Sequence, residues 1–104
     1  MKNNACCDNS SPQFKKIEDS TRLLKALTDA NRIKILCILS KEKICVCDLA
    51  KRLDLAQNLV SHHLKVMQNV GLLEKQREGS QIYYFIVDTQ KKKISDLKRL
   101  IGIN

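Results

Sequence analysis

The segment VCDLAKRLDLAQNLVSHHLKVMQNVG, residues 46–71, decides the fold. Val46, Leu49, Ala50 and Leu53 recur at i, i+3, i+4 and i+7, the spacing of one helix face, so a short helix is predicted that ends near Asp54. Ala56, Val60, Leu64 and Met67 line one side of a second helix, and Gly71 is placed to end it with a left-handed cap. Only a residue or so separates the two. After Gly71 the pattern changes to two extended runs, Leu72 to Arg77 and Gln81 to Val87, joined by Glu78-Gly79-Ser80. Ile82, Tyr84 and Ile86 face one way, and Tyr83, Phe85 and Val87 the other. Two helices in quick succession followed by a hairpin describe a winged helix-turn-helix.

Working outward, Phe14, Ile17, Thr21, Leu24 and Leu27 give a first helix. Thr28 and Asp29 are capping residue types ahead of a second helix, Asn31 to Leu39, whose centre is apolar all round and reads as central to the domain. A last helix from about Thr89 carries Ile94, Leu97, Leu100 and Ile101 on one stripe with lysines opposite. The expected class is mainly α with a β-hairpin, in the order α-α-α-α-β-β-α. Residues 1–12, polar and closed by the only proline, read as a flexible cysteine-bearing arm, and residues 13–104 as one domain for DNA binding and dimerisation. At 104 residues there is no room for a separate catalytic domain, and a partner subunit would help to bury apolar surface. No apolar run approaches the roughly 18 residues of a membrane span, and the amino terminus has no secretory pattern, so a cytoplasmic location without membrane contact is expected.

The formal charge of +8 suggests a polyanionic partner, although half of it lies in residues 89–104, where Lys91, Lys92 and Lys93 read best as a solvated helix face. The stronger signal is geometric. A helix of this kind fits the DNA major groove while its predecessor crosses the phosphate backbone. Asn58, Ser61, His62 and Lys65 form the polar face of the second helix, opposite its apolar stripe. Gln57 and Asn58 can pair with adenine through two bonds, and Ser61 can reach base or phosphate. Lys65, Lys75, Arg77, Ser80 and Gln81 are the expected phosphate or minor-groove contacts from helix and wing. His63 falls on the flank of the apolar stripe and reads as a partly buried, hydrogen-bonded residue.

These blocks resemble the ArsR/SmtB family of metal-responsive repressors. The resemblance rests on LTDANRIKIL at residues 27–36, ICVCDLA at 44–50, VSHHLKVM at 60–67 with Gly71-Leu72-Leu73, and the wing Arg77-Glu78-Gly79 with Tyr83-Tyr84; it runs over roughly residues 14 to 101. It implies a homodimer held by the first and last helices, bound to double-stranded operator DNA at an imperfect inverted repeat.

Five cysteines form a poor disulfide framework in a reducing compartment, so thiol or metal chemistry is expected. Cys45 lies just before a helix and Cys47 in its first turn, where free amides and the dipole favour a thiolate. One sulfur outside the helix and one inside can converge. Cys6 and Cys7 on the arm can add further sulfurs, from the other subunit. Three sulfurs suit As(III), Sb(III) or Pb(II), and four suit tetrahedral Cd(II) or Zn(II). The family resemblance supports both, since CVCDL sites occur in arsenite-type and cadmium/lead-type sensors. Ala50 stands where some arsenite sensors carry a third cysteine, and Gln90 where zinc-type members carry a histidine in the last helix. Cys37 reads as a buried, inert thiol.

The expected activity is a repressor that needs no cofactor to bind DNA and dissociates when Cys45, Cys47 and an arm cysteine capture the inducing ion. A thiol-redox repressor is the first alternative. A thiol-rich metal carrier or interaction module without DNA binding is the second. No Ser/His/Asp set, carboxylate pair or phosphate loop supports an enzyme.

Overall fold

Ser11 opens the described part of the chain, residues 11–103 of the computed structural model. Its hydroxyl accepts a hydrogen bond from the Phe14 amide at 3.1 Å and caps α1, Pro12–Ala26. The proline therefore opens the helix instead of preceding it, at the position where a missing N–H leaves nothing unpaired. Asp29 caps α2, Ala30–Leu39, by accepting from the Arg32 amide at 3.1 Å. That bond is also the main reason its carboxyl is held below its usual value. Strand β1, Ile44–Cys45, leads directly into α3, Val46–Leu53, and α4 spans Gln57–Asn69. The hairpin follows as β2, Leu73–Glu78, and β3, Gln81–Ile86; a 3-10 turn at Asp88–Gln90 then precedes α5, Lys91–Leu100.

The hairpin is antiparallel and closes at Glu78↔Gln81 around Gly79-Ser80, with Gly79 in the left-handed conformation (φ 64°) that such a two-residue loop requires. The sequence analysis does not anticipate β1. It pairs with β3 at Ile44↔Tyr84 and Cys45↔Tyr83, which makes a three-stranded sheet in the order β1-β3-β2. Two residues are too few to display an alternating period, so no sequence signal exposes this strand.

The turn between α3 and α4 is tight because Asp54 adopts φ 55°, while the Leu55 amide donates to the Ala50 carbonyl at 3.0 Å. At the far end of α4, Gly71 (φ 86°) donates to Gln68, and Leu72 to Met67, both at 3.0 Å. This is the two-bond glycine cap expected from the sequence. The core gathers Ile35, Leu36 and Leu39 of α2, Leu49 of α3, Val60, Leu64 and Met67 of α4, Leu72, Leu73 and Ile86 of the hairpin, and Ile94 of α5. Each such side chain contributes about 1.5–3 kcal/mol by leaving water.

One expectation changes. Cys37 is half-buried, because α2 turns Ile35, Leu36 and Leu39 inward and leaves Ile33, Lys34 and Cys37 on its outer side. Helix α1 meets the core at Leu23, Ala26 and Leu27, while Ile17 and Leu24 of its apolar stripe are 57% and 58% exposed. Among the described residues, no helix is long and apolar enough to cross a membrane.

One polar contact seats α4 on α2. Arg32 Nε donates to Nδ1 of the buried His63 at 3.0 Å, and Arg32 Nη1 reaches the Ala26 carbonyl at 3.4 Å. A ring nitrogen that accepts from a guanidinium cannot carry a proton, so His63 is neutral here with its hydrogen on Nε2. Burial, and after it the nearby Arg32 and His62 charges, lowers its pKa below the ordinary 6.5, against an opposing pull from Asp29. The unfolded chain then binds more protons than the folded one as the solution is acidified. The stabilising contribution is complete above the unfolded value of 6.5 and is lost as pH falls through the lower folded value. Denaturant midpoints should therefore decline as pH falls below the unfolded value of 6.5, and His63→Gln should flatten that decline.

Candidate metal site and nucleic-acid interface

Cys45 is at once the last residue of β1 and the N-cap of α3, with extended backbone at φ −83° and ψ 161°. Cys47 lies one residue inside the helix. This junction brings the two sulfurs to 3.2 Å, the convergence expected for one thiol outside and one inside a helix start. Cys45 is 4% exposed and Cys47 is half-buried, so one edge of the pair is open. The Asp48 carboxylate completes a group whose donor atoms all lie within 4.8 Å of one another. Asp48 is a donor not among the expected site residues. Its signal was available: Asp48 occupies the third helical position, from which a side chain reaches back toward the cap.

The expectation of a ready thiolate at Cys45 is corrected. Its thiol is pushed above its ordinary value, first by the hydrogen bond it shares with Cys47, then by burial, with the Asp48 carboxylate adding to both. The Asp48 backbone amide acts in the opposite direction but is outweighed. Helix-start polarisation loses here to a shared proton and a dry environment. Cys6 and Cys7 lie outside the described residues.

The polar face of α4 is exposed at Gln57, Asn58, Ser61, His62 and Lys65, while Val60, His63, Leu64 and Met67 face inward. Helix α4 begins after Ala56 with no side-chain cap and no acidic residue in its first turn, so its leading amides and positive dipole end face outward unopposed. On the wing, Lys75, Arg77, Ser80 and Gln81 are exposed. Lys65, Lys75 and Arg77 have no carboxylate within ion-pairing distance among the described residues, unlike Lys43, which pairs with Glu78 and lies 5.5 Å from the centre of the Tyr83 ring. Lys43 thus pins the strand preceding the thiols to the wing tip, a tie that sequence reasoning missed because its partners are 35 residues apart.

The thiols and the α4–wing surface are not separate places. A cleft of about 320 Å³ is lined by Cys47 and Val46 on one side and by Gln57, Ser61, Ser80 and Gln81 on the other. Among these, Gln57 and Ser61 come from α4, and Ser80 and Gln81 from the wing.

This architecture defines a winged helix-turn-helix protein with a paired-thiol site beside its exposed helix. Residues 29–75 match the model of the bacterial regulatory protein arsR family. The cadmium resistance transcriptional regulatory protein CadC homolog of Staphylococcus aureus is 36% identical over 77 residues, 73% of this chain and 64% of that protein. The arsenical resistance operon repressor of Staphylococcus aureus is 31% identical over 67 residues, 64% of each. The chain thus spans just under two thirds of either regulator. Among solved structures, reduced HlyU from Vibrio cholerae superposes with a TM-score of 0.77 at 31% identity, covering 86% of this chain and 96% of that one. A homodimeric winged helix-turn-helix DNA-binding domain from Mycobacterium bovis gives 0.80 at 24% identity over 88% and 86%, a likeness of fold. The chain belongs to the ArsR/SmtB family, whose members are transcriptional regulators rather than enzymes.

Thiol accessibility tests the geometry. In the reduced chain near neutral pH, iodoacetamide labelling followed by peptide mapping should modify the half-buried Cys47 before Cys45, by about tenfold or more in rate given burial and the raised Cys45 value. Equal rates would mean that the pair is splayed rather than joined.

Proposed function

We propose that this chain is a cytoplasmic metal(loid)-responsive repressor: a homodimer that holds double-stranded operator DNA when ion-free and lets go when Cys45 and Cys47, with an arm cysteine, Cys7 or Cys6, take up a thiophilic ion. The observation that carries this reading is the 3.2 Å sulfur pair, whose Cys47 lines the same cleft as Gln57, Ser61, Ser80 and Gln81. Support for a dimer comes from the exposed apolar residues of the two terminal helices: Ile17 and Leu24 on α1, and Leu100, 82% exposed, on α5. Covering such residues at a subunit contact would remove apolar surface from water. DNA binding itself requires no cofactor in this scheme.

Asn58, Ser61 and His62 would meet base edges in the major groove, with Gln57 and the free α4 amides at its rim. Lys65, Arg77, Ser80 and Gln81 would hold phosphate or minor groove. Each half-site of an inverted repeat would receive one α4, with the two centres about 34 Å apart.

The inducing ion supplies strong bonds to sulfur. Capture of an ion would replace the 3.2 Å thiol contact by a spacing set by the ion's own bonds to the two sulfurs. Cys45 transmits that movement to β3 through its pairing with Tyr83, and Cys47 transmits it to the cleft shared by α4 and wing. Release follows only if the ion binds the free protein better than the DNA complex, and couplings of about 1–3 kcal/mol are typical. Of the candidate ions, Cd(II) and Pb(II) can use the Asp48 oxygen as well as the sulfurs, whereas As(III) and Sb(III) take three sulfurs and leave it idle.

A thiol-redox repressor remains the second reading, favoured by the same short sulfur separation and by likeness to a protein whose structure is described as reduced. Ultraviolet sulfur-to-metal absorption during titration separates the two. In mobility-shift assays on the chain's own upstream DNA, Cys45→Ser and Cys47→Ser should keep binding but lose release by As(III), Sb(III), Cd(II) or Pb(II), tried in parallel. Release that persists in both variants would refute the ion mechanism. Replacing Arg77 or Lys65 by Ala should lower the slope of log K against log salt by roughly 1 per protomer, whereas Asn58→Ala should change base preference with little effect on that slope.

A further inference from the structure

Away from the thiols and the α4–wing face, the end of α2, the base of β3 and one side of α5 enclose a cavity of about 400 Å³. Its floor is apolar, with Ile103, 39% exposed, beside the nearly fully buried Ile86 and Ile94. Its rim is cationic and hydroxylic, from Lys41, Lys98, Ser40 and Ser95. We propose that this cavity is a second ligand site, for a small organic oxyanion: a carboxylate or phosphate head on a short apolar body.

The head is argued from charge. Lys41 and Lys98 have no carboxylate within ion-pairing distance among the described residues, whereas Lys91 and Arg99 at the same rim are engaged by Asp88 and Asp96. Lys98 is already held in place: its ammonium donates to Ser40 Oγ at 3.0 Å, and that hydroxyl donates onward to the Cys37 carbonyl at 2.7 Å. An ammonium with one hydrogen so engaged keeps two for a ligand. The body is argued from the floor, since a volume of this size over two buried isoleucines exceeds what inorganic phosphate fills and falls within the range of small-molecule sites. No histidine, cysteine or carboxylate lines the cavity, so it has no ligands for a soft or divalent cation.

Operator DNA does not account for these lysines. Ile86 pairs with Leu73 at the base of the hairpin, while Gly79 and Ser80 form its tip, about 20 Å away along a six-residue strand. The cationic rim is therefore a surface separate from the wing tip. The site is independent of the repressor reading and stands or falls separately from it.

The test is an amide-resolved NMR titration of the reduced protein at 150 mM salt, in which a pocket covered by a partner subunit would show as absence of binding and count against the proposal. Hexanoate, hexyl phosphate, inorganic phosphate and hexanol serve as probes. Hexanoate or hexyl phosphate should give saturable shifts centred on Ser40, Ile86 and Ser95, and whichever binds tighter identifies the head group. Inorganic phosphate and hexanol should each bind at least tenfold more weakly. Lys98→Ala and Lys41→Ala should each weaken binding about tenfold at unchanged melting temperature, whereas Lys93→Ala should not. Absence of saturable binding by either amphiphile, or binding indifferent to both Lys98→Ala and Lys41→Ala, overturns the proposal.

Discussion

Cys45 is shared by two elements that meet at its Cα. Its backbone closes the edge strand against Tyr83, and the same residue caps α3 in extended geometry. Because the strand sets where the helix begins, the Cys47 sulfur has little freedom to be anywhere but beside that of Cys45. Cys45 is buried at 4% exposure while Cys47 stays half-buried, so the pair is reached from the Cys47 side. The paired sulfurs, the three-stranded sheet and the start of the helix-turn-helix are one mechanical unit, so a movement at the sulfurs cannot stay local to them.

The second constraint is the seating of α4. Its apolar side packs on α2 through Val60, Leu64 and Met67, and that packing alone would permit some rotation about the helix axis. The Arg32–His63 bond limits the rotation, because a guanidinium Nε and an unprotonated ring nitrogen must meet in line. The exposed face of Asn58, Ser61, His62 and Lys65 is thereby aimed as well as held. Most of the ion pairs on this surface, such as Arg22–Asp19 and Lys92–Asp96, join well-exposed groups and contribute little to stability. Lys65, Lys75 and Arg77 beside α4, and Lys41 and Lys98 beside α5, are among the described cations that none of these pairs engages.

Long-period elements were readable along the chain. The four-residue recurrence from Ala56 to Met67 and the glycine at 71 located α4 and its end within a residue or two, and the alternation after Gly71 located the hairpin. Cys45 and Cys47 were legible as a pair because the residues around them mark a helix start. The inward or outward facing of α2 was not legible. Ile33 to Leu39 is apolar on every side, so periodicity assigns no face, and Cys37 was taken for core although it lies toward the surface. Apolar composition likewise did not distinguish the part of α1 that joins the core from the part that stays open.

What the chain determined by itself was local: helix lengths, caps, the tight Asp54 turn, the hairpin and the polar face of α4, all properties of residues within about seven positions of one another. Tertiary structure alone decided the β1–β3 pairing, the Lys43–Glu78 tie, the Arg32–His63 bond and the raised Cys45 thiol. Each of those depends on groups brought together across the fold or on exclusion of water. Spacing along a chain encodes neither, because contact and desolvation exist only once the elements have packed.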